Sequence, residues 1–157
     1  EKICLILDRL RSAHNTGNIF RIAEAVGAEI IACGYTPAPP HPKLARTAMG
    51  TDQMDRCRVL PDACSAIRQL RSEGYRQILA AEYAPSSVFA WRMNYRFPLA
   101  IVLGNEALGV SPEALAEVDG LVSLPMFGKK SSINVGNAAA AILYAVVAVT
   151  QYGVHES

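Results

Sequence analysis

The chain lacks a dominant charge: 15 Lys+Arg against 14 Asp+Glu leave its 157 residues at +1. Global attraction to nucleic acid or a membrane surface is thereby excluded, and any basic face has to come from local clustering. The four cysteines, Cys4, Cys33, Cys57 and Cys64, form no C-x-x-C pair. Zinc and disulfide roles are therefore not expected, and Cys4 and Cys33, inside apolar runs, read as buried, reduced thiols. The three histidines stand far apart without ligand spacing, so no metal is expected. The longest apolar run, AAAAILYAVVAV (138–149), falls short of the roughly 20 residues a bilayer requires. The chain opens directly on a strand-like run, so no signal peptide and a cytoplasmic location are expected.

Two nucleotide fingerprints are also missing. No G-x-G-x-x-G occurs, which removes the ordinary dinucleotide loop. The stretch LPMFGKKSSINVGNAAAA (124–141) looks like a phosphate cradle. A P-loop, however, needs glycine where Ser123 stands and a hydroxyl residue where Lys130 stands. What remains is a helix start able to accept an anion, or one merely capped by Ser131 or Ser132.

Hydrophobic residues make up 51% of the chain and charged ones 18%, which suits a folded single domain over 1–157. The continuous apolar run ICLIL (3–7) predicts a strand buried on both faces, and further strands are expected at EIIACG (29–34), RQILAAE (76–82) and PLAIVLG (98–104). Shorter strands are expected at RCRVL (56–60) and LVSLP (121–125). Ile19, Ile22, Ala23 and Val26 keep helical spacing up to Gly27. Ala63, Ala66, Ile67 and Leu70 do the same over 62–73, closed by Gly74. A short helix follows Ser111-Pro112, and a last one starts near Asn134. TPAPPHPK (36–43) reads as a loop, and 83–97 fits neither period. Strands alternating with helices predict an α/β fold, a mostly parallel sheet with helices on both faces. Ligands in such sheets bind at the carboxyl ends of strands, where the loops 8–18, 104–111 and 126–134 should lie. The final helix, apolar on every side, needs a central position or a second subunit to cover it.

Several residues in those loops could carry chemistry, each with a plainer explanation beside it. Arg21 lies about 200° around its helix from Ile19, where a solvated arginine would also sit. Asn15, Thr16 and Asn134 could simply cap helices. Glu106 follows a buried strand directly, although Gly104 and Gly109 could merely make turns.

Together, three blocks give these residues a common meaning: NTGNIFRIAEAVGAE (15–29), IVLGNEALGVSPEAL (101–115) and LPMFGKKSSINVGNAAAAILY (124–144). Their order and content resemble the SpoU-type RNA 2′-O-ribose methyltransferases of the SPOUT class, in outline TrmH- and TrmL-like. The resemblance implies a C-terminal deep trefoil knot, a homodimer, S-adenosyl-L-methionine as cofactor and tRNA or rRNA as substrate. It also implies site residues: Arg21, Asn15, Glu106 and Asn134 as catalytic, with Ala81, Gly104, Leu124, Met126, Ser132 and Ile133 around the cofactor. The family's S-L-N-V-S becomes Ser132-Ile133-Asn134-Val135-Gly136 here, which removes one hydroxyl near the helix start.

On this reading the 126–134 loop wraps a cofactor that has no phosphate, while Lys129 and Lys130 turn outward. Those two, with Arg9 and Arg11, are the expected RNA contacts; Lys43 and Arg46 are equally well explained as ordinary surface charges. Arginine is nearly always protonated, so Arg21 is expected to stabilise a forming alkoxide electrostatically. Two alternatives remain at this point: a non-catalytic RNA-binding dimer on the same fold, and a small nucleotide-binding α/β enzyme.

Overall fold

The computed structural model describes residues 1–130 and 132–154, Met54 by its backbone alone. The strands are β1 (Ile3–Asp8), β2 (Glu29–Cys33), β3 (Cys57–Leu60), β4 (Gln77–Ala81), β5 (Val88–Phe89), β6 (Leu99–Gly104) and β7 (Gly120–Ser123). They form one seven-stranded sheet in the order β3-β2-β1-β6-β4-β7-β5. Each neighbouring pair is parallel.

The continuous apolar runs have a direct cause, because each central strand is covered twice. Ile3, Leu5 and Leu7 of β1 face one core, with α1 (Ala13–Val26), α2 (Pro42–Ala48) and α5 (Val135–Tyr152). Cys4 and Ile6 face the other, with α3 (Ala63–Ser72) and α4 (Pro112–Leu115). Burial pushes the Cys4 and Cys33 thiols up to about 12, which makes both inert near neutrality.

Two local expectations are corrected. Ser12, not Asn15 or Thr16, caps α1: its hydroxyl accepts from the Asn15 N–H at 3.0 Å. Asn15 thus lies inside the first turn, and its side chain is released for other partners. The proline-rich segment read as a loop is one up to His41, but its last two residues begin α2, with Pro42 at its first turn and the His41 ring accepting from the Leu44 N–H. α2 packs against α1 at Gly17, where a Cβ would meet Thr47 Cβ at 2.5 Å. The unassigned segment 83–97 contributes only the short edge strand β5.

By length and composition α5 could cross a membrane, yet Ile142, Leu143 and Val146 close it into the core. Its opposite side leaves Ala141, Tyr144 and Tyr152 exposed.

Neighbouring parallel strands finish at one rim. Asp8 pairs with Gly104 and Ala81 with Val122, so the ends of β1, β6, β4 and β7 lie side by side. The loops that leave these ends have to share that rim.

Candidate active site

The turn after β6 is set by Gly104, where a Cβ would lie 2.3 Å from the Gly109 carbonyl carbon and 2.3 Å from the Val110 nitrogen. Only glycine lets the chain fold back so tightly. Asn105, 4% exposed, braces the turn. Its carbonyl oxygen accepts from the Ala107 and Leu108 N–H groups, and its amide donates to the Arg9 carbonyl and the Tyr35 hydroxyl.

This turn presents Glu106 to the loop after β1. One carboxylate oxygen accepts from the Arg11 N–H at 2.9 Å. The other accepts from the Ser12 N–H at 3.0 Å and the Asn15 amide at 3.2 Å. The Asn15 carbonyl oxygen in turn accepts from the Asn134 amide at 2.9 Å. Asn134 then caps α5, its oxygen accepting from the Gly136 and Asn137 N–H groups at 2.8 and 3.2 Å. Each amide orientation follows from its neighbours: two N–H donors fix the Asn134 oxygen, and the carboxylate fixes the Asn15 nitrogen. One unbroken chain therefore joins the loops 8–18, 104–111 and 126–134. Desolvation raises the Glu106 pKa, but the Arg11 and Ser12 amides with Asn15 outweigh it and hold it below the ordinary carboxylate range.

A cavity of about 620 Å³ opens beside this chain. All six residues assigned to the cofactor, Ala81, Gly104, Leu124, Met126, Ser132 and Ile133, line it, and Asn15, Glu106 and Asn134 border it. Its charged lining is Glu82 and Glu106; among the described residues no Lys, Arg or His reaches it. Backbone, apolar surface and carboxylates suit a phosphate-free, positively charged ligand. Gly136 leaves room close to α1, since a Cβ there would lie 3.1 Å from the Asn134 oxygen and 3.5 Å from Asn18 Cβ. The missing hydroxyl thus leaves the cap intact. Ser131, an alternative cap in the sequence reading, lies outside the described residues; Ser132 does not take that role.

Arg21 stands apart from this assembly. It is exposed on α1, does not line the cavity, and has no hydrogen bond or ion pair among the described residues. Lys129, Lys130 and Arg11 are exposed. Arg9 is partly committed: its Nε donates to Asp8 at 3.0 Å, while the other Asp8 oxygen accepts from the Ser111 N–H at 2.7 Å. Arg9 therefore holds the β1 end as well as facing outward. No group of three potential metal ligands occurs among the described residues.

Sequence reasoning passed over Glu82, Asn105 and Ser12. Glu82 had a usable signal, since it follows an apolar strand just as Glu106 does. Asn105 and Ser12 had none beyond turn and cap preferences shared by their neighbours.

Comparison with known proteins matches residues 2–144 to the model described as the SpoU rRNA Methylase family. The tRNA (guanosine(18)-2′-O)-methyltransferase of Thermus thermophilus is 34% identical over 142 residues, covering 90% of this chain and 72% of that enzyme. The crystal structure of the SpoU methyltransferase AviRb from Streptomyces viridochromogenes superposes with a TM-score of 0.86 at 29% identity, over 97% of this chain and 61% of that one. An AdoMet-bound rRNA methyltransferase from Sinorhizobium meliloti gives a TM-score of 0.85 at 28% identity, over 95% and 57%.

Proposed function

The chain belongs to the SpoU rRNA methylase family, and from that premise we propose that it methylates a ribose 2′-hydroxyl of tRNA or rRNA with S-adenosylmethionine. The observation that carries this reading is the Glu106–Asn15–Asn134 chain at the edge of a cavity without cations. When bound, S-adenosylmethionine supplies a methyl group on positively charged sulfur and brings no phosphate. Two carboxylates attract such a ligand and repel a nucleoside phosphate, which weighs against a nucleotide-binding enzyme. Leu124, Met126 and Ile133 offer apolar surface to an adenine ring.

Glu106 is a poor general base, because its oxygens already accept from three N–H donors and its proton affinity is low. Its role is to hold Asn15, and through it Asn134, in one orientation beside the reacting ribose. Stabilisation of the forming alkoxide falls to the permanently charged Arg21, and the proton passes to an RNA phosphate. Arg21 does not line its own chain's cavity, so this role calls for a second copy that brings α1 to the cavity mouth. A homodimer burying the outer face of α5, which packs beside α1, would do so. The deep trefoil knot belongs to the same proposal, in the segment that passes through 126–134 into α5; family membership supports it.

Calorimetry is expected to show S-adenosylmethionine binding without magnesium, with ATP and NAD silent. Single-turnover methyl transfer by Arg21→Ala and by Glu106→Ala should each fall about 10²–10³-fold. Mixing the two variants should restore activity at one site per mixed dimer. Near-wild-type rates for both variants would end the assignment. The exposed Arg21 favours one other reading, a non-catalytic RNA-binding dimer, which cofactor binding without transfer to any RNA would support.

A further inference from the structure

The two carboxylates of the cavity differ in how much of their charge is already engaged. Glu106 is satisfied by three N–H donors. Glu82, directly after β4, accepts one, the Val110 N–H at 3.2 Å, through Oε1. Among the described residues its Oε2 has no partner, and no Lys, Arg or His pairs with it. Glu82 is nevertheless held in place. Gly109, with φ at 73°, packs so closely that a Cβ there would lie 2.5 Å from Glu82 Oε1. A half-buried carboxylate with a fixed position and no counter-ion is open to a cation that enters the cavity.

We propose that Glu82 is the specificity-determining residue that separates the charged cofactor from its spent product. It attracts S-adenosylmethionine and offers no matching attraction to S-adenosylhomocysteine. The inference rests on the methyl-transfer reading above. In that reaction the ribose oxygen bonds to the methyl carbon, and the carbon–sulfur bond breaks with its electron pair going to sulfur. The hydroxyl proton leaves to an RNA phosphate. Cofactor and product keep the same ammonium and carboxylate, so they differ in one methyl and the charge on sulfur. A carboxylate in the cavity therefore favours exchange of product for fresh cofactor.

A cost accompanies this benefit. The attraction is strongest before transfer begins and fades as the charge on sulfur falls, so it acts on the ground state more than on the transition state. Removing Glu82 should accordingly raise KM for the cofactor without lowering kcat.

The test is calorimetry on the full chain, comparing wild type with Glu82→Gln and Glu82→Asp. The ligands are S-adenosylmethionine, S-adenosylhomocysteine and the amine analogue sinefungin, which carries an ammonium in place of the sulfonium. Glutamine keeps an oxygen for the Val110 N–H, so the loop is preserved and the melting temperature should hold. In Glu82→Gln, both cationic ligands should bind about tenfold more weakly, while the neutral product changes by less than about twofold. Glu82→Asp keeps the charge and should keep the preference. An equal loss for all three ligands would make Glu82 a loop brace or a partner of the ammonium they share, and no loss for any would remove its role; either outcome overturns the inference. A wild-type protein that binds none of the three would instead sink the methyl-transfer reading itself.

Discussion

Glu106 accepts three hydrogen bonds and donates none, so glutamine is not a neutral replacement there. Its amide nitrogen would face N–H donors, leaving groups unpaired at a cost of about 1–3 kcal/mol. The exposure of the loop points to the lower end, and urea denaturation of Glu106→Gln measures it. The pH dependence has a definite sign. The folded pKa lies below the ordinary value, so the carboxylate's contribution is complete above the unfolded pKa of about 4.3 and is lost as pH falls through the folded value. The melting-temperature gap between wild type and Glu106→Gln should stay constant near neutrality and close in acid, below roughly pH 4. A gap unchanged in acid would mean that the negative charge contributes nothing. Asn15 shows how much of this was readable. Ser12, Asn15 and Thr16 are all good caps by type, so local preference could not choose among them. The choice is made by a carboxylate 91 residues away in sequence, which takes the Asn15 amide.

Two glycines set how the elements approach one another. Gly17→Ala should gain about 1 kcal/mol in helix propensity. The new Cβ, however, would meet Thr47 Cβ at 2.5 Å and the Ala48 nitrogen at 3.0 Å. Overpacking of this kind costs about 1–3 kcal/mol, so the net change in a denaturant titration should be a loss. At Gly104 all three close atoms are backbone and cannot rotate away. Gly104→Ala should therefore cost more, and it should also abolish S-adenosylmethionine binding in calorimetry. A well-folded Gly104→Ala that binds cofactor normally would contradict the turn described here. The strands were legible because burial on both faces leaves no polar residue in β6 and only the terminal Asp8 in β1. α2 was hidden because only Leu44 and Ala48 of its seven residues are buried, too few to show a period. That the three loops share one end of the sheet was legible from the strand–helix alternation, but which side chains meet there came only through the family resemblance.

At the scale of the whole molecule the open surfaces decide. If the outer face of α5 forms the proposed homodimer, Ala141→Arg with Tyr144→Lys should give monomers in sedimentation. Methyl transfer should then be lost while cofactor binding remains. Dimers that persist would place the interface elsewhere. RNA affinity should fall steeply with salt, and Lys129→Ala with Lys130→Ala should flatten the log–log slope by about 1.4–1.8; an unchanged slope would exclude both lysines from phosphate contact. The position of Arg21 outside its own cavity could not be read from the sequence, because a linear pattern does not say which copies meet. Parallel pairing across the whole sheet has a practical consequence. The turns at Gly27 and Gly74, which lead back into β2 and β4, sit at the rim opposite the cavity. A guest domain spliced into either turn could redirect the protein to a new RNA while its methyl-transfer machinery stays as it is.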